Sequence, residues 1–164
     1  MEQKTKVNAE DGKQDLAITR EFDLPVELLF KAHSEPGLIE QWMTNPYATP
    51  KALKFEAKKH GSYQLESTDA GGKVVFKSNG VFHEFIPNKK ITRTFEMENA
   101  PFGVQLEVYE FEPLTDNTSK LNMHVIFESV AVRDQLLKMP FAQGLNMAHD
   151  RLEEVVSKSG TITK

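Results

Sequence analysis

The sequence predicts an α+β domain in which one antiparallel sheet is covered by a single long C-terminal helix. Three observations carry this prediction. Apolar residues alternate with period two through most of the chain between residues 15 and 127. The period lengthens to three or four in two short stretches near the start and one long stretch at the end. No strand–helix–strand alternation occurs, so nothing calls for a parallel sheet.

The elements follow in order. Residues 1–14 hold one Val and one Ala besides Met1 among charges of both signs, and are predicted to be a disordered N-terminal tail. Leu16, Ile18 and Phe22 then alternate with polar neighbours as a first strand, with Arg20 the one charged residue on its apolar side. Pro25 suits a first helical turn, and Val26, Leu29, Phe30 and His33 follow at helical spacing. Pro36 opens a second short helix, Gly37 to Trp42, which the Asn45-Pro46 and Thr49-Pro50 steps end.

About six strands come next. Leu53, Phe55 and Ala57 alternate with lysines and Glu56, and Tyr63 and Leu65 alternate with Gln64 and Glu66. Asp69-Ala70-Gly71-Gly72 supplies turn residues for a hairpin into Val74 to Phe76, and Gly80 suggests a bulge or bend. Ile91, Phe95 and Met97 form another strand, Val104 to Phe111 a long one, and Leu121, Met123, Val125 and Phe127 the last. Phe141, Leu145, Ala148, Leu152 and Val155/Val156 then mark one face of a helix beginning near Pro140. Residues 15–158 are read as one domain, with 159–164 a C-terminal tail. A curled sheet around one helix leaves room for an internal cavity.

Composition narrows the function. The chain has 164 residues, 39% of them hydrophobic, and a formal charge of −4 from 20 Lys+Arg against 24 Asp+Glu. A weakly acidic balance argues against a nucleic-acid partner, because phosphate binding draws on surplus Lys and Arg. No apolar run approaches the ~20 residues of a membrane span, and the polar start does not resemble a secretory signal, so the expected location is cytoplasmic. With no Cys, disulfides, thiolate nucleophiles and Cys-ligated metals are excluded. Gly71-Gly72-Lys73 lacks the rest of a phosphate loop, and no Gly-x-Ser-x-Gly elbow occurs. His149 and Glu153 share a helix face, but the other His are scattered, so no metal, no cofactor and no catalytic dyad are predicted.

The candidate ligand-binding residues are Trp42, Arg93, Phe95, Leu145 and His149. Arg93 shares strand parity with Ile91, Phe95 and Met97; either it is buried against Glu84, Glu107 or a ligand carboxylate, or a twist leaves it solvated. His149 either borders the core or stands at a pocket wall one turn below Leu145, and Trp42 either packs in the core or meets a ligand. In the strand Val104 to Phe111 both faces are apolar, and an outward set would suit a homodimer or partner.

Three blocks in register carry a resemblance. Arg20 to Ala32 (REFDLPVELLFKA) with Glu35-Pro36 and Gln41-Trp42, then Gly80 to Pro87 (GVFHEFIP) with Ile91, and Gly144-Leu145 with Asp150-Arg151-Leu152, resemble the homologues of the heat-shock chaperone ATPase activator. That family sits in the START/polyketide-cyclase-like helix-grip superfamily. The resemblance spans about residues 15 to 158 and implies the helix-grip fold, with two short helices after the first strand. Met43 stands where many relatives have a second Trp, and His149 where they often have an aromatic residue, so the pocket lining differs from theirs. Three functions are compatible with this reading: non-catalytic binding of a small apolar molecule, a protein-interaction or stress-response module with a chaperone partner, and a cyclase- or hydrolase-like enzyme. Monomer and homodimer both remain open.

Overall fold

The computed structural model describes residues 4–162, with side chains over 4–158. Eight strands form one antiparallel curved sheet in the order β1-β2-β8-β7-β6-β5-β4-β3. They are β1 (Lys6–Asn8), β2 (Asp15–Phe22), β3 (Thr49–Phe55), β4 (Ser62–Thr68), β5 (Val74–Ile86), β6 (Lys90–Met97), β7 (Val104–Pro113) and β8 (Ser119–Ile126). Four helices complete the chain: α1 (Val26–Ser34), α2 (Pro36–Trp42), α3 (Val130–Leu137) and α4 (Phe141–Ile162). The α+β reading holds.

Alternation along the strands sorts side chains between faces. On β2, Leu16, Ile18, Arg20 and Phe22 point inward, and on β8 Leu121, Met123 and Val125 do the same from directly opposite or diagonal positions. In α4, Leu152 and Val156 are fully buried while Phe141, Leu145 and Ala148 are partly buried against the same core. Helices α1, α2 and α4 pack on one another and close the concave side of the sheet.

Four details depart from the sequence reading. Lys6–Asn8 is a strand rather than part of a disordered tail, paired with β2 from Lys6↔Thr19 to Asn8↔Ala17. A three-residue edge strand with one apolar side chain carries no periodic signal; it is held by pairing with β2 and by Val7 packed against the core. Helix α3 was also not predicted; Ser129 caps it by accepting from the Val132 backbone N–H at 3.1 Å, and its apolar residues form no clean stripe. A register shift between Ala52 and Lys54 turns Leu53 outward, 51% exposed, while Phe55 stays inward.

Gly80 has a different reason from a simple bulge. A Cβ there would lie 1.9 Å from the Thr94 carbonyl oxygen and 2.5 Å from the Tyr63 hydroxyl. The Tyr63 hydroxyl fills that space, donating to the Thr94 carbonyl at 2.6 Å, while the Val81 N–H turns to Thr94 Oγ1 at 3.0 Å. The register irregularity between β5 and β6 comes slightly later, between Phe82 and Glu84.

Candidate functional site

Between the concave sheet and the three helices lies a hollow of about 280 Å³. Met43, 39% exposed, is among its lining residues. Phe55 and Phe82 from the sheet and Leu145 and Ala148 from α4 supply apolar wall, and Met43, Met97 and Met123 add unbranched side chains. All five residues nominated from the sequence meet here: Trp42 from α2, Arg93 and Phe95 from β6, Leu145 and His149 from α4.

The polar end is built on two neighbouring strands. The register sets Arg93 directly opposite Glu107, and Arg93 Nε donates to Glu107 Oε1 at 2.7 Å. Arg93 Nη2 donates to the Tyr109 hydroxyl at 2.8 Å, that hydroxyl donates to Glu107 Oε1 at 2.9 Å, and Gln105 Nε2 donates to Glu107 Oε2 at 2.7 Å. The Arg93 guanidinium carbon also lies 4.8 Å from the Tyr63 ring centroid, 5.1 Å from that of Tyr109 and 5.8 Å from that of Phe95. Burial opposes its charge, but Tyr109, Tyr63 and Glu107 together outweigh burial and hold the guanidinium protonated. Burial pushes both tyrosine hydroxyls up, away from ionisation. Of the partners the sequence left open for Arg93, the structure selects Glu107; Glu84 instead takes Lys90 at 3.0 Å and the Thr92 hydroxyl at 2.9 Å.

Two neutral imidazoles border the hollow. Burial lowers His33 to about 4, with the charge of Arg93 acting in the same direction and the bond to the Leu29 carbonyl opposing. That bond, 2.9 Å from Nδ1 to a carbonyl that can only accept, places the proton on Nδ1 and leaves Nε2 an acceptor. Burial lowers His149 to about 3, helped by His33 and Arg20, and its Nδ1 lies 2.7 Å from the Thr5 hydroxyl. Trp42 is buried, and its indole N–H is taken by the Ala32 carbonyl at 2.9 Å, so it offers the hollow only its ring. Among the described residues no group of three or more His, Asp or Glu converges as a metal site requires, and no helix is long and apolar enough to cross a membrane.

This arrangement can be set beside known proteins. The family described as Activator of Hsp90 ATPase homolog 1-like protein matches residues 23–157, most of the chain. The chain belongs to that family. No curated protein matches it. Solved structures with this architecture include a Rhodobacter sphaeroides protein, 18% identical, with a TM-score of 0.85 over 94% of this chain and 99% of that one. A Nitrosomonas europaea protein is 20% identical with a TM-score of 0.78 over 93% and 99% of the two chains. A Mycobacterium smegmatis protein is 18% identical with a TM-score of 0.79 over 92% and 95%. At these identities the likeness concerns the fold.

Sequence reasoning did not place His33, Gln105 or Tyr109 at the hollow. Tyr109 could have been found from parity, because it shares a strand face with Glu107 and Phe111, and His33 from its place beside Leu29 and Phe30 on the apolar face of α1. The thread from Thr5 to His149 had no signal, since 144 positions separate the two residues.

Proposed function

We propose that this protein binds a small hydrophobic ligand in the hollow between the sheet and α4, without catalysis, and that Trp42, Arg93, Phe95, Leu145 and His149 contact it. The observation that carries the reading is a hollow of about 280 Å³ with mostly apolar walls and one polar cluster at its end. Apolar enclosure with a few convergent polar groups is the usual composition of a ligand pocket, and the volume falls just below the ~300–1,000 Å³ range that such pockets usually occupy. A compact ring system or a single chain suits it better than a double-chain lipid. Neither neutral imidazole is paired with a carboxylate as a catalytic dyad requires: His33 bonds a carbonyl and His149 a hydroxyl.

Trp42 is the only Trp, so its emission reports directly on the hollow. Titration with fatty acids, flavonoids and sterols should give a saturable change with at least one of them. Ala148→Phe, which pushes a ring into the hollow, should abolish that change while leaving the far-ultraviolet dichroism intact. No response to any of the three classes overturns the reading.

A second reading, a protein-interaction module with a chaperone partner, has its own support. Val104 and Leu106 stand on the outward face of β7, 41% and 37% exposed, with Leu106 directly opposite Ile126. A silent ligand titration together with a dimer by light scattering would favour it.

A further inference from the structure

We infer that the hollow selects an uncharged ligand, whose hydroxyl, keto or ester oxygen meets the free edge of Arg93, and that it discriminates against carboxylates and amines. This rests on the ligand-binding reading above and adds the chemical class. The sheet fixes the guanidinium, because Nε and Nη2 are held by Glu107 and Tyr109 and aromatic rings line its faces. Among the described residues Nη1 makes no hydrogen bond, and Arg93 lines the hollow, so the 18% of its side chain that is exposed includes a donor available to a guest. A ligand that covers this donor without offering an acceptor would leave it unpaired, which is unfavourable, and a ligand oxygen supplies the acceptor.

A carboxylate would also reach Nη1, which is why the charge balance decides. Arg93 already has its counter-ion, with Glu107 Oε1 2.7 Å from Nε. A second anion at the same guanidinium gains attraction from Arg93 and meets repulsion from Glu107, so much of the attraction is offset. What remains is the unfavourable removal of a carboxylate from water. An ammonium meets the reverse pair of forces, repulsion from Arg93 and attraction to Glu107, and is likewise left with the loss of its hydration. No other cation lines the hollow to favour an anion, because His33 and His149 are neutral there and Lys is absent from its walls. A hydroxyl fits both kinds of partner, accepting from Nη1 and donating to an acceptor such as His33 Nε2.

Isothermal titration calorimetry at neutral pH with matched ligands of one skeleton tests this: decanol, decanoate and decylamine, then acetylnaphthalene and naphthoate. The neutral member of each set should bind at least about tenfold more tightly than its charged counterpart. Glu107→Gln leaves Arg93 without a counter-ion and should shift the preference about tenfold or more toward the carboxylate. Wild-type protein that prefers decanoate or naphthoate overturns the inference while sustaining the ligand-binding reading, and this comparison needs no variant to fold. Binding of none of these probes overturns the inference, and the ligand-binding reading falls with it when the Trp42 titration is silent as well. An unchanged neutral-to-carboxylate ratio in folded Glu107→Gln overturns the inference alone.

Discussion

Arg20 and Arg93 occupy equivalent positions on their strands, each a cation among apolar residues on the concave face, yet they do opposite things. Arg20, 3% exposed, reaches the C-terminal helix: its Nη2 lies 2.8 Å from Asp150 and 3.3 Å from Glu153, and its Nη1 3.2 Å from Asn146 Oδ1. It fastens α4 to the sheet. Arg93 is held along the sheet instead, bonding Glu107 and Tyr109 on the neighbouring strand. The difference lies in what faces each strand. Arg20 on β2 meets the polar side of α4 directly, while Arg93 on β6 borders the hollow, most of whose sheet lining comes from β3 to β7; farther along α4, Leu152 and Val156 are fully buried. One sheet thus carries a fastened half and an open half.

The largest expected effect comes from breaking the fastened half. Arg20→Met should lower stability by about 3 kcal/mol, at the low end for one partner of a buried ion pair, because Asp150 is 57% exposed and can return to water while Glu153 is 21% exposed. Urea midpoints measure this, and ligand affinity should change little in protein that remains folded. An equal loss of binding would show that the two halves are not separable.

Next comes acidity. His33 and His149 are lowered on folding from 6.5 to about 4 and about 3, so below 6.5 the unfolded chain binds more protons than the folded one. Their contribution to stability is therefore complete above pH 6.5 and is lost as pH falls toward those values, on the order of 3 kcal/mol for His33. His33→Leu should flatten the stability profile between neutral pH and 4, read from urea midpoints at a series of pH values. A slope unchanged by the substitution would assign the acid sensitivity to His149 and the carboxylates instead.

The smallest expected effect extends the fastening to the first strand. Thr5 donates its backbone N–H to Asn146 Oδ1 at 2.8 Å and bonds His149 through its hydroxyl. Thr5→Val keeps the first bond and removes the second, and should reduce stability by about 1 kcal/mol in thermal unfolding.

The fastened half was partly legible in the sequence. Arg20 stood out as a charge on an apolar face, but nothing in the sequence joined it to Asn146, Asp150 and Glu153 until the fold laid that side of α4 against β2. The polar stripe of α4 is thus partly a contact surface rather than a solvated one. The open half was legible as a list of residues and not as a cluster. Parity put Arg93 on the face of Phe95, leaving open whether it was buried or solvated, and helical spacing put Leu145 and His149 on one face, while the choice of Glu107 over Glu84 waited on the pairing of β6 with β7. Strand β1 and helix α3 escaped because one is too short, and the other too weakly amphipathic, to imprint a period.

Met43, Met97 and Met123 in the walls give the hollow a mouldable contour. Thioether chains rotate about several bonds with little penalty and fill whatever outline a visitor presents, whereas branched residues impose their own. Recognition of guests by silhouette should therefore be lax, so that molecules of quite different skeleton bind with similar strength. Discrimination is left to the single oriented polar corner.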